Sequence, residues 1–516
     1  MEKSRTEYSA RNTTVAMAAR AAAILAGFAA RVVFTHTLSQ DYVGVNGLFS
    51  DILNVLALSE LGAGTAITYA LYRPIAEGDI EKQKSLMRMF RSFYRIVAAL
   101  VLVLGLLVVP FMNVLIKNQP RIEHLYLIYL LYLLNSVLSY LMVYKRTLVD
   151  AHQLGYIGVL YQTGSWILQN VLQILVLLLS RNFILFVGMM ILCTLLNNAA
   201  ISRKADRLYP YLRDRTVQRL PVSEQKEIFR NIRAMLMHKI GAVMVNNTDN
   251  LLLSSLVGIV SNSRYSNYYL MIGSVRQVLN QMFQGITASV GNLGVENDRE
   301  RMRKIFEAAF FLDQWMFGVA AICIFEVVDL FAGFCFGAEY VFSRNVTLVL
   351  CLNFYLTGLR QAALVFRDSL GIFWYDRYKS LAEAAVNLIV SVILGRRFGT
   401  AGIFLGTLAS TVTTSLWMEP YMLYRYGLKC SPWKCFCRYG YYALVTFSLW
   451  YAADLLCRNM SGPPLAVCAK RGTLCFLMVN EAYLLLYHRT GEFRLLTAKG
   501  LQILKKRCTG NRGRER

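Results

Sequence analysis

Apolar runs of about 20 residues recur from one end of this chain to the other, and that spacing leaves few folds open. A run of that length crosses a hydrocarbon core of about 30 Å as a helix, and only helices and closed barrels satisfy their own backbone hydrogen bonds in lipid. The in–out alternation of an outer-membrane barrel is absent. With 56% apolar residues and a mean hydropathy of +0.41, the sequence reads as an all-α polytopic membrane protein.

Fourteen spans are expected, near residues 13–38, 47–72, 90–116, 122–144, 156–180 and 182–202, then 234–257, 265–291, 305–336, 345–366, 381–398, 401–424, 439–457 and 472–488. The polar first eleven residues and a long first span without a small-residue cleavage site predict that no signal peptide is removed. An even span count puts both termini on one side. Loops on that side hold 40 Lys and Arg against 10 opposite, the other 5 of the 55 lying within spans. The positive-inside rule makes that side the cytoplasm. The net charge of +24 thus answers to topology and the anionic inner leaflet, and no nucleic-acid motif accompanies it.

The longest charged break, 203–233, separates an N-lobe (1–202, spans one to six) from a C-lobe (234–424, spans seven to twelve), and so reads as a cytoplasmic linker. Spans thirteen and fourteen (425–488) read as appended, and 489–516 as a basic cytoplasmic tail. The lobes resemble each other. AEGDIEKQKSLMRMF from Ala76 has its counterpart in VENDRERMRKIFEAAF from Val295; Asp298 less Asp79 leaves 219, and the same offset carries Arg20 onto Lys239. Six spans separate the two starts, so the repeat is parallel, with its axis along the membrane normal.

Five basic residues lie inside these apolar runs: Arg20, Arg31, Lys239, Arg276 and Arg360. A charge at the centre of a spanning helix costs roughly 2.5–3.5 kcal/mol on the insertion scale, so it faces a partner or a wet cavity. Arg20 and Arg31 share a helix face about 16 Å apart, with Ile24 and Gly27 between them. The matching face of the seventh span carries Lys239, Asn246 and Asn250, beside Asp249. The eighth has Gly273, Arg276, Asn280 and Gln284, the second Asn46, Ser50 and Asn54, the fifth Gln162, Trp166, Gln169 and Gln173. Such stripes face protein or water. The expectation is a cationic cavity of Arg20, Arg31, Lys239, Arg276 and Arg360, with Asn46, Asn54, Asn246, Asn250, Asn280 and Gln284 as its polar lining. Against it stand blander readings. Arg20 is near enough to its helix end to snorkel, Arg31 and Arg360 have Glu60, Asp249 or Asp313 as alternative ion-pair partners, and amides between helices are commonly glue. The fifth span's stripe is read as glue.

Asp249, Asp313, Glu326 and Asp329 are open to two roles, neutralising the cavity arginines or binding a proton or sodium ion that drives transport; Asp249, far from either end of its span, is the candidate for coupling, and Glu326 and Asp329, near the outer end of theirs, are read as interfacial. Eleven scattered cysteines give no disulfide framework, and Cys430, Cys435 and Cys437 match no zinc spacing. The five histidines lack metal-ligand spacing, and no Walker motif or nucleophile elbow occurs. Neither an enzyme nor a cofactor is expected.

YVGVNGLFSDILNVLALSELGAGTAITYALYRPIAEGD from Tyr42, TDNLLLS from Thr248, YSNYYLMIGSV from Tyr265, ASVGNL from Ala288, NFYLTGLRQAALVFRDSLG from Asn353 and GIFLGTLAST from Gly402 resemble the polysaccharide-transport branch of the multidrug/oligosaccharidyl-lipid/polysaccharide (MOP) exporter superfamily, the branch of Wzx-type O-antigen and capsule flippases. The resemblance covers roughly residues 10–430. It implies two six-helix lobes facing each other as a V, alternating access, and a cavity lined by spans one, two, seven and eight. It also implies a substrate of oligosaccharide on undecaprenyl pyrophosphate, a bacterial cytoplasmic membrane location, and polymerase and chain-length machinery as partners. The alternatives are a lipid II or multidrug exporter of the same superfamily, or a multi-pass glycosyltransferase or polymerase, against which the short outer loops count.

Overall fold

The computed structural model describes residues 5–56, 63–116, 122–152, 154–214, 220–226, 228–229, 248–296, 299–370 and 378–497, with the backbone alone for 5–20, 63–69, 155–156, 213, 281–296 and 368–369. Among the described residues there is helix and no strand. Each of the fourteen expected intervals holds helix, the seventh being described only from residue 248. Seven of the described helices are long and apolar enough to cross a membrane, which makes this a multi-pass membrane protein.

Hydropathy locates the lipid-embedded part of a helix, whereas capping decides where it begins. The third helix runs Ile80–Val108, starting ten residues before the expected interval, because the Asp79 carboxylate accepts the Lys82 N–H at 2.9 Å. Asn182 caps the sixth helix, Phe183–Leu208, accepting from the N–H groups of Ile184 and Leu185. Both side chains satisfy donors that the first helical turn leaves open.

The repeat seen in sequence recurs in the helix boundaries. Ile259 less Gln40, Arg299 less Ile80 and Arg344 less Leu125, all helix starts, each leave 219. The fourth span is broken into Leu125–Tyr140 and Val143–Ala151, and the tenth is broken at the matching place into Arg344–Gly358 and Gln361–Ser369. In the tenth, the wholly buried Asp313 of the ninth span (Arg299–Phe336) accepts the Ala362 N–H at 2.9 Å and caps the second piece. Asp313 thus serves backbone through Oδ2, and its buried Oδ1 has no hydrogen-bond partner among the described residues. Spans eleven and twelve follow without a loop, the chain reversing at Gly399 with φ +59° and ψ −134°, a conformation open mainly to glycine. The two arms touch at backbone distance. A Cβ on Gly406 would lie 2.1 Å from Ser391 Oγ, while Ser391 itself donates to the Ile403 carbonyl at 3.0 Å.

The chain forms two compact units, 1–267 and 268–516. In the first, the fifth span (Gly155–Ser180) packs on the first (Arg5–Thr37) and on the sixth, around a stack of Phe34, Phe183 and Phe186. The segment after the sixth span is docked to the same unit. Tyr211 donates to Gln83 Oε1 at 2.6 Å, Lys84 pairs with Asp214 at 2.9 Å and Lys82 with Glu224 at 3.1 Å. Burial pushes the Tyr211 phenol up to about 12, so it remains a donor at neutral pH.

In the second unit, the ninth span packs against the fourteenth (Pro464–Tyr487). Their contact is polar at its centre: Gln314 Nε2 donates to Thr446 at 3.0 Å and to Tyr483 at 3.1 Å, and the Trp315 indole donates to Asn480 at 2.8 Å. Near one end, Arg344 bridges Glu326 at 2.8 Å and Asp454 at 2.5 Å, so spans thirteen and fourteen are fastened by charge as well as by packing.

Candidate functional site

Within the first unit, polar residues singled out from the sequence meet partners on other helices that were not. Arg31 Nε donates to Asn267 Oδ1 at 2.6 Å, and its guanidinium carbon stands 5.8 Å from the Phe34 ring centre. The eighth helix (Ile259–Glu296) reaches the second (Gln40–Leu56) where Asn262 donates to the Gly44 carbonyl at 3.0 Å. A Cβ on Gly44 would come within 2.4 Å of the Ile259 carbonyl oxygen, so glycine is required for that approach. Asn46 accepts from the Tyr132 hydroxyl, and Asn250 donates to Asp51. Asn54 is exposed and Asp249 buried.

In the second unit, Arg276 sits over the Phe354 ring at 5.9 Å, and its Nε is buried without a hydrogen-bond partner among the described residues. Asn280 lies one turn further along that helix, half-buried. Lys239 and Asn246 lie outside the described residues, as do the side chains of Arg20 and Gln284, whose backbones are helical.

Arg360 is committed elsewhere. Its Nε and Nη2 form a paired contact with Glu419 at 3.0 and 2.7 Å, and Nη1 reaches Glu383 at 3.0 Å. Lys379 also donates to Glu419. These partners are not Glu60, Asp249 or Asp313, the acids weighed from sequence. Among the described residues, two cations and two anions form this network, and all four are almost wholly removed from solvent. The physical reason is geometric: spans ten, eleven and twelve bring the acids around the guanidinium fork, which matches a carboxylate with two parallel bonds.

Asp51, Glu383 and Glu419 were overlooked in the sequence, although the same rule of cost that singled out the arginines applies to them. Asp51 stands next to Ser50 on a stripe otherwise recognised. The fifth-span stripe divides in two. Gln173 donates to the Phe186 carbonyl of the sixth span at 3.2 Å, as glue does. Gln162, Trp166 and Gln169 instead line a cleft of about 270 Å³. No group of three or more potential metal ligands occurs among the described residues.

No protein-family model matches the sequence, and no curated protein matches it. Solved structures do. A lipid II flippase, MurJ, in an inward closed conformation aligns with a TM-score of 0.66 at 13% identity, covering 93% of this chain and 99% of its own. An inward-facing multidrug resistance MATE family transporter of the MOP superfamily aligns at 0.61 and 13%, covering 81% and 98%. A variant of the Vibrio cholerae MATE transporter VcmN aligns at 0.50 and 14%, covering 81% and 99%. These are transporters and a flippase, not enzymes. The chain has the fold that a lipid II flippase and the multidrug transporters of the MOP superfamily share.

Proposed function

We propose that the protein is a flippase that carries oligosaccharides linked to undecaprenyl pyrophosphate across the bacterial cytoplasmic membrane by alternating access, for export of surface polysaccharide. Both termini then lie in the cytoplasm, and a polysaccharide polymerase with its chain-length machinery would receive the product. The observation that carries the reading is Arg276. A buried guanidinium nitrogen without an acceptor is costly unless something supplies one, and an oxygen of a pyrophosphate does so. Arg20, Arg31 and Lys239 are the further cations assigned to that role; Asn46, Asn54, Asn246, Asn250, Asn280 and Gln284 are assigned to sugar hydroxyls.

A diphosphate held by guanidinium forks in a low-dielectric site is bound strongly, so release needs a resetting force. Asp249 is assigned that role, with a proton or sodium ion displacing the load as it binds. Arg276→Glu and Lys239→Glu are expected to abolish complementation of a flippase-null strain while the protein still inserts; normal polymer output from both would end the cavity assignment. Asp249→Asn is expected to uncouple transport in proteoliposomes from imposed pH and sodium gradients, and a wild-type response to both gradients would remove Asp249 from the cycle.

A second reading, lipid II as the cargo, is favoured by coverage. The lipid II flippase aligns over 93% of this chain and the multidrug transporters over 81%, the share that remains if 425–516 has no counterpart in them. Rescue of a strain lacking its lipid II flippase, without rescue of one lacking an O-antigen flippase, would select that reading.

A further inference from the structure

The cleft of about 270 Å³ in the first unit lies among spans four, five and six. Its lining is rich in polar side chains. Elsewhere in the fifth span the amides of Asn170 and Gln173 close onto backbone carbonyls, and of those at the cleft Asn198 closes onto the Leu138 carbonyl. Others around the cleft are open: the buried Asn197 Oδ1 has no partner among the described residues. Neither the Gln169 amide nor the Trp166 indole N–H has a hydrogen bond among them, though both line the space. Arg146 enters from the fourth span, fixed by Gln162 Oε1 at 2.6 Å and standing 3.8 Å from Asp150. Gln162 and Trp166 are exposed, so these open donors and acceptors face whatever enters the cleft, whereas amides serving only as glue close on a neighbouring helix.

Trp166 also ties the cleft to the cationic face of the first span. A Cβ on Gly27 would lie 2.4 Å from Trp166 Cη2, so the indole rests on the one residue between Arg20 and Arg31 that has no side chain to obstruct it. An indole 40% exposed, apolar on its face and polar at its N–H, beside amides and a guanidinium, suits a pyranose ring with its apolar C–H face and its hydroxyl rim. The volume is just below the roughly 300–1,000 Å³ of pockets for drug-sized ligands, which fits one ring rather than a chain.

We propose that this cleft is a saccharide subsite: Trp166 stacks on one sugar ring of the lipid-linked glycan while Gln162, Gln169, Asn197 and Arg146 bind its hydroxyls, beside Gly27 of the first span. The proposal rests on the flippase reading above and locates the part of the site that separates a glycosylated lipid from a bare one.

The test uses the full chain in nanodiscs and two probes, undecaprenyl pyrophosphate and undecaprenyl pyrophosphate carrying an oligosaccharide. Wild type is expected to bind the glycosylated lipid more tightly. Trp166→Leu and Gln169→Leu should each weaken that lipid about tenfold, or 1.4 kcal/mol, and leave the bare lipid within about twofold, with Trp166→Phe recovering most of the loss. Equal weakening of both lipids, or of neither, overturns the subsite, the first result making Trp166 a prop for the first span and the second making the cleft packing alone. Wild type that binds both lipids equally overturns the subsite and leaves the flippase reading standing. Wild type that binds neither ends both.

Discussion

Arg276 and Arg360 are the same residue type in the same unit, each embedded in an apolar helix, and the structure treats them in opposite ways. Arg360 is saturated by Glu419 and Glu383. Arg276 rests on an aromatic face and keeps a buried nitrogen free of any described partner. The first arrangement resolves the cost of an intramembrane charge inside the protein, and so contributes to the fold. The second leaves that cost uncompensated by any described residue. A basic residue in an apolar run is thus evidence for a partner, and only the neighbours say whether that partner is a carboxylate of the chain or an anion from outside it.

The sharpest way to break this contrast is to remove the shared acid. Glu419→Gln leaves Arg360 and Lys379 buried without their common counter-charge, and should cost about 3–5 kcal/mol of stability. Thermal or denaturant unfolding in detergent reads this directly, and an unchanged melting curve would mean that the network does not hold spans ten to twelve together. Arg360→Lys keeps the charge but loses the paired geometry to Glu419. A loss of about 1.5–3 kcal/mol is expected, with transport falling only as far as the folded fraction falls. Arg276→Gln reverses the pattern. Removing the cation from above Phe354 should cost only about 0.5–1 kcal/mol, yet flux of a polyprenyl-pyrophosphate substrate should drop at least about tenfold, or 1.4 kcal/mol. Should Arg276→Gln unfold the protein while Arg360→Lys slows transport in fully folded protein, the roles assigned to the two arginines would have to be exchanged.

Much of the helical framework was legible because the bilayer imposes a length on every span. The 219-residue offset between Asp79 and Asp298 also marked the internal repeat, and the helix starts at Gln40 and Ile259, Ile80 and Arg299, Leu125 and Arg344 carry the same offset. Less legible were the breaks inside spans four and ten. No proline or glycine pair announces them, and in the tenth the break is sustained by Asp313, a residue of another helix. The site was read unevenly for a related reason. Arg31 and Asn250 were visible as polar residues on apolar faces, but their partners, Asn267 and Asp51, sit 236 and 199 residues away. Gln162 and Gln173 share one stripe and looked alike. One lines a cleft and the other closes onto the Phe186 carbonyl, a distinction set by where the sixth span lies.

By itself the sequence determined that this chain is a bundle of membrane-crossing helices built on a parallel repeat, since span length, hydropathy and charge asymmetry are local quantities that each segment carries alone. It also determined which residues would be expensive to bury. What each of those residues does was decided by tertiary structure alone: which arginine meets two carboxylates, which acid caps a broken helix, and which amides are left facing a cleft. Burial of a charge or an amide is a cost of one residue, but its compensation belongs to a pair, and pairs across hundreds of residues exist only once the helices have packed.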